Sequence, residues 1–195
     1  MPAIDVAGEF ETIQRLLKPL AHPEWARGLA DDVAALPSRP GHDLILTKDA
    51  IVEGVHFLPD DPLDTVAQKL LRVNLSDLAA MGARPIGCVL GLALPRLDEP
   101  WLAAFADGFH ALADAHGCPL IGGDTTRSAH DLAISVTVFG AVPAGQALRR
   151  DGAQAGDDIW VSGELGAADV AYRLLDGQYP ADEPLLAATR GALEW

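Results

Sequence analysis

The sequence predicts an α+β fold, with a mixed or antiparallel sheet packed against helices and the start of a second α/β domain behind it. Three features lead there. Apolar strand-like runs at 43–49, 85–94 and 132–142 interleave with helix-like segments. The helix-like segments are bracketed by capping residues and terminal glycines. A stretch rich in Gly, Ala and charge, 143–158, then separates this pattern from a shorter one resembling the opening of another domain.

In chain order, a first helix is expected from Glu9 to about Leu17, with Phe10, Ile13, Leu16 and Leu17 on one side. DLILTKD, at 43–49, reads as a buried strand and is followed by the turn-rich VEGVHFLPDDP. Asp61 is placed to cap a helix with Pro62 at its first position, and Gly82 to end it. PIGCVLGLAL, from Pro85, is a second strand. The next helix starts at Asp98, with Leu97 and Leu102 as a hydrophobic staple, and stops at Gly117. PLIGGD is expected as a short strand entering a glycine turn, and LAISVTVFGAV continues the sheet. This gives an N-terminal domain over 1–145, then a linker and the incomplete start of a second domain over 146–195, because about 40 residues are too few for a typical domain.

Composition narrows the function classes. Hydrophobic residues make up 49% and charged residues 22% of the 195, and no apolar run approaches the roughly 20 residues that span a bilayer. The N-terminus lacks the basic start and apolar core of a secretory signal, and a cytoplasmic location is expected. Cys88 and Cys118, in apolar surroundings without metal-ligand spacing, are expected as buried free thiols. A net charge of −14 disfavours nucleic acid and anionic membrane as partners. It does not disfavour a nucleotide whose phosphates meet the protein through divalent cations.

Four aspartates stand out by position: Asp32 after Leu29, Asp49 ending a strand, Asp77 three residues after Asn74 on one helix face, and Asp124 after Gly122 and Gly123. Carboxylates gathered at strand ends need compensation, and Mg²⁺ takes a few carboxylates together with water and phosphate oxygens. Each also has a local reading, as a cap, a strand end or a solvated helix residue. In GGDTTR two glycines permit close approach of an anion, although a hairpin turn fits the same letters. His56, between apolar neighbours, reads from sequence as a satisfied core histidine. A P-loop and the HRD and DFG signatures of protein kinases are absent.

The ordered motifs GEF (8–10), ADD (30–32), T-x-D (47–49), VEGVHF (52–57), NLSDLAAMGARP (74–85), LIGGDTTR (120–127) and GxALxR (145–150) resemble those of thiamine-monophosphate kinases. The resemblance runs from Gly8 to about Ala171. These enzymes fall in the wider ATP-using superfamily of aminoimidazole ribonucleotide synthetase and selenide, water dikinase. It implies ATP-dependent, Mg²⁺-assisted in-line phosphorylation of thiamine monophosphate to thiamine diphosphate by a homodimer whose N-terminal sheets pair. By the same resemblance Asp32, Thr47, Asp49, Asp77 and Asp124 would ligate several Mg²⁺ ions. Gly123, Asp124 and Arg150 would contact ATP, His116 would border the nucleotide, and His56 would face the thiamine phosphate.

Three departures from the family pattern accompany the match. Ala30 replaces a glycine before the first carboxylates, and Lys48 replaces a threonine beside Asp49. The Ser-Asp metal site and thiamine-contacting aromatic of the family's second domain do not occur before Trp195. The alternatives are therefore a truncated, non-catalytic dimeric module that binds nucleotide and Mg²⁺, or another ATP-using member of the superfamily. Lysine has no lone pair when protonated, so Lys48 cannot ligate a metal through its side chain. It would either touch a phosphate or, on the strand face opposite Thr47 and Asp49, meet solvent.

Overall fold

A computed structural model describes residues 11–29, 33–96, 98–161 and 165–194. The GEF motif, Ala30, Asp32 and the Leu97 half of the expected staple lie outside these residues. The described chain divides into two units after Arg149.

In the first unit four strands form one sheet: β1 (His42–Val52), β2 (Arg84–Leu94), β3 (Leu120–Arg127) and β4 (Ala133–Pro143). Their order is β1-β4-β2-β3. β4 is antiparallel to both neighbours, whereas β2 and β3 are parallel, so the sheet is mixed as expected. The parallel pair follows from the connection: β2 and β3 are joined by a helix, α2 (Glu99–Ala115), and a crossover of that length returns the chain in the same direction. The other helix, α1 (Leu63–Ala80), joins β1 to β2.

Both helices pack on one face of the sheet. Leu70, Leu71 and Leu78 of α1 and Phe105 and Phe109 of α2 are fully buried with Val136 and Val138 of β4. Burying each such side chain contributes about 1.5–3 kcal/mol. The two helices cross closely at Gly108, where a Cβ would lie 2.5 Å from the backbone of Asp64. Asp98 caps α2 by accepting from the Trp101 amide at 3.2 Å, and Gly82 and Gly117 take positive φ (70° and 58°) just beyond the two helices. Cys88 and Cys118 are buried and free. Hydrogen bonding to Cys118, reinforced by burial, holds the Cys88 thiol well above its ordinary pKa and hence protonated.

Several expectations are corrected. β1 is an edge strand rather than a buried one, with Leu44 and Leu46 more than half exposed. Asp61 does not cap α1. Its carboxylate accepts from the Leu58 amide at 2.8 Å and closes the preceding turn, leaving Pro62 at the cap position. Gly122 and Gly123 do not form a turn, because β3 stays paired with β2 as far as Arg127. The described part of the first helix is irregular: a π-helical turn, Ile13–Leu17, tightens to 3₁₀ at Lys18–Leu20. Pro19 lacks the N–H that a continuing α-helix would use. Beyond this, Ala21 bridges to Leu120 and covers part of the outer edge of β3.

The second unit holds α3 (Ala167–Leu175) and α4 (Glu183–Glu194), which pack on each other. Arg173 pairs with Asp169 at 2.8 Å. Ile159, Trp160 and Leu165 are almost wholly exposed. No helix among the described residues is long and apolar enough to cross a membrane.

Candidate functional site

Strand alternation sorts the polar residues of β1. Thr47 and Asp49 fall on the face that carries the helices and Lys48 on the opposite one. On the helix face α1 passes over β1, and Thr47 Oγ1 donates to Asp77 Oδ2 at 2.8 Å. Asn74, one helical turn before Asp77, is fully buried, and its Nδ2 donates to the Leu70 carbonyl at 3.0 Å. Its Oδ1 lies 3.4 Å from Thr47 Oγ1. The threonine has one proton to give, and the shorter distance assigns it to Asp77. Thr47 thus pins α1 to the strand carrying Asp49.

Asp77 stands three residues before the end of α1, where the helix dipole disfavours an anion by about 0.3–1 kcal/mol. The Thr47 hydroxyl offsets part of that cost, and a bound cation would offset more. Asp49 has no hydrogen-bond or ion-pair partner among the described residues. All of these donors are hard oxygens, the set Mg²⁺ prefers. No three Asp, Glu, His or Cys residues among those described gather close enough to hold a metal alone. Mg²⁺ commonly takes one or two carboxylates and fills its octahedron with water and phosphate oxygens, and the Asp77 carboxylate beside the Thr47 hydroxyl, with Asp49 on the same strand face, is a donor set of that kind.

Asp124 lies elsewhere. In register it shares a row with Gly91, Ser135 and Ala50, while Gly123 shares the row of Asp49, Val136 and Leu90. Asp124 therefore belongs to the helix-free face, with Lys48. Both line an open groove of about 800 Å³, as do Ser135, Thr137 and Gly122. Gly123 is required sterically, since a Cβ there would collide with the Leu90 carbonyl oxygen.

His56 is exposed rather than buried in the core, because GVH forms the tip of a turn closed by Glu53 and Phe57. Its Nδ1 accepts from the Val52 amide at 3.1 Å, which leaves the proton of the neutral ring on Nε2, free to donate to a ligand. Lys69 Nζ holds the same turn through the His56 carbonyl at 2.9 Å. His116 caps the C-terminus of α2 and is exposed, and it does not line the groove. Arg150 opens the second unit in a 3₁₀ turn. The structure thus brings Thr47 and Asp77 together, places Asp49 on the same face of β1, sets Asp124 apart with Lys48, and leaves Asp32 outside the described residues. The groove hydroxyls of Ser135 and Thr137 went unassigned in the sequence, although their alternation with Ile134, Val136 and Val138 marks them as facing away from the core.

The AIR synthase related protein, N-terminal domain, matches residues 30–142, more than half of the chain. The chain belongs to this family. It is 46% identical over 167 residues to a thiamine-monophosphate kinase of Caulobacter vibrioides, covering 85% of this chain and 47% of that protein. The crystal structure of a thiamine-monophosphate kinase from Stenotrophomonas maltophilia superposes with a TM-score of 0.77 at 50% identity, over 92% of this chain and 57% of the other. The structure of AaThiL complexed with AMPPCP and TMP matches with a TM-score of 0.70 at 30% identity, over 97% and 59%. The thiamine-monophosphate kinase resemblance read from the motifs is thereby upheld. The chain spans about half the length of the curated relatives it matches.

Thr47→Val removes the donor to Asp77 and is expected to cost about 1 kcal/mol in urea denaturation, while Thr47→Ser costs much less. Equal stability of Thr47→Val and the parent would show that the bond does not hold α1 to β1.

Proposed function

We propose that the chain takes part in ATP-dependent phosphorylation of thiamine monophosphate to thiamine diphosphate, assisted by Mg²⁺. The observation that carries this reading is the Thr47–Asp77 hydrogen bond between β1 and α1, with Asp49 on the same face of β1, in a fold shared with AaThiL complexed with AMPPCP and TMP. Residues 1–145 would form the nucleotide-binding domain, and 146–195 would lie outside it. A cytoplasmic location suits a reaction on such metabolites.

Direct phosphoryl transfer places modest demands on protein chemistry. The γ-phosphoryl group passes in line between two oxygens, and the catalyst must position both partners and neutralise charge. Mg²⁺, when bound, would supply that neutralisation in a protein of net charge −14. Asp49 and Asp77 would hold it, with Thr47 fixing the orientation of Asp77, and Asp32 would join them. Asp124, its carboxylate unpartnered among the described residues, would bring a further ion to the nucleotide phosphates beside Gly123. His116 would border the nucleotide. His56, donating from Nε2, would orient the phosphate of thiamine monophosphate.

The proposed homodimer draws support from β1. Among the described residues nothing pairs with the outer edge of this 11-residue strand, and Leu44 and Leu46 beside it are 56% and 57% exposed. An edge so long and apolar invites pairing with a second copy. Leu46→Asp is expected to lower the mass in light scattering from dimer to monomer. A parent protein already monomeric at high concentration would exclude pairing through β1.

Nucleotide binding is tested by calorimetric titration of ATP with and without Mg²⁺. Binding is expected to strengthen at least tenfold with Mg²⁺, and His56→Ala is expected to weaken thiamine monophosphate binding without affecting ATP. Equal ATP affinity under both conditions would contradict the metal-bridged reading.

A further inference from the structure

The helix-free face of the sheet is chemically divided. At one end lie Leu44, Leu46 and Phe139, in register with one another or with Ala141. At the other lie Lys48, Thr137, Ser135 and Asp124, all polar residues that line the groove. Register fixes their order. Lys48 sits opposite Thr137 on β4, and two residues along, Ser135 sits between Ala50 and Gly91, with Asp124 next on β3.

The floor between these residues is low. Gly91 and Gly122 carry no side chain there, and a Cβ on Gly91 would come within 2.7 Å of Ser135 Oγ, so the serine hydroxyl lies directly over the glycine. Lys48 and Asp124 occupy the two edge strands, three strand spacings or about 14 Å apart across the sheet. No ion pair joins them, and neither has another hydrogen-bond or ion-pair partner among the described residues. A fixed cation thus stands on one side of an open trough and a free carboxylate on the other, with two hydroxyls between.

We propose that this trough is a polyphosphate subsite in which the Lys48 ammonium contacts phosphate oxygens directly. Ser135 and Thr137 donate hydroxyl hydrogen bonds along the floor, and Asp124 engages the far end of the phosphate chain through a cation. The inference rests on the nucleotide reading above and adds a binding residue to it. Its chemical logic is substitution of charge. A lysine carries three donors and one permanent positive charge, so it performs at β1 the neutralising part of a divalent ion without needing one. A direct ammonium–phosphate contact also requires no metal, which separates the contribution of Lys48 from that of the aspartates.

The separation is testable with inorganic tripolyphosphate and ATP, each titrated calorimetrically in EDTA and in Mg²⁺ against the parent, Lys48→Met and Lys48→Arg. Lys48 is exposed, so both variants are expected to fold, as checked by thermal melting. The parent is expected to retain weak tripolyphosphate binding in EDTA. Lys48→Met should reduce it at least tenfold and Lys48→Arg, which keeps the charge, by much less. Unchanged binding by Lys48→Met, with ATP still bound by the parent in Mg²⁺, would overturn the role of Lys48 and leave the nucleotide reading standing. No ATP binding by the parent under either condition would overturn both.

Discussion

The hydrogen bond from Thr47 to Asp77 joins the two elements on which the candidate site is built. Asp77 rides on α1 and Asp49 on β1, and those elements are held in register by packing of Leu70, Leu71 and Leu78 against the sheet. Packing of apolar side chains fixes the helix over the sheet, but a polar contact is needed to fix the carboxylate itself. Because the acceptor sits at the unfavourable end of the α1 dipole, the threonine proton also offsets part of that cost. Buried Asn74, anchored one turn earlier, secures the helix backbone beneath it.

The pleat of β1 supplies the second constraint. Consecutive residues of one strand serve opposite faces, so a three-letter motif, Thr47-Lys48-Asp49, furnishes two different surfaces. One face presents the side-chain oxygens of Thr47 and Asp49 and the other the Lys48 cation over the groove. The same alternation in β4 divides Ser135 and Thr137 from the buried Ile134, Val136 and Val138. A single sheet can thus carry two distinct polar surfaces while sharing one core.

Much of this was legible in the sequence. The strands at 85–94 and 132–142 and the helix beginning after Asp98 were marked by continuous apolar runs and by a capping aspartate. What misled was context that one strand cannot report. DLILTKD is apolar enough to read as buried, yet the chain topology leaves β1 at an edge. GGD reads as a turn, yet Gly123 is there because the strand passes so close to Leu90. His56 reads as core because its neighbours are apolar, but a turn alternates its side chains differently from a strand. The interest of Thr47, Asp49 and Asp77 followed from motif order through the family resemblance, and the Thr47–Asp77 contact from the structure. The placement of Asp124 on the opposite face required the pairing register.

The account stands or falls on whether a divalent ion, with nucleotide, settles beneath α1. Nuclear magnetic resonance of the isotope-labelled protein, titrated with substoichiometric Mn²⁺ in the presence of ATP, addresses this directly, since the paramagnetic ion broadens the signals nearest to it. Broadening is predicted first at the amides of Thr47 to Asp49 and Asn74 to Asp77. Broadening confined to other acidic positions, such as Asp176, Asp182 and Glu183 in the second unit, would contradict it.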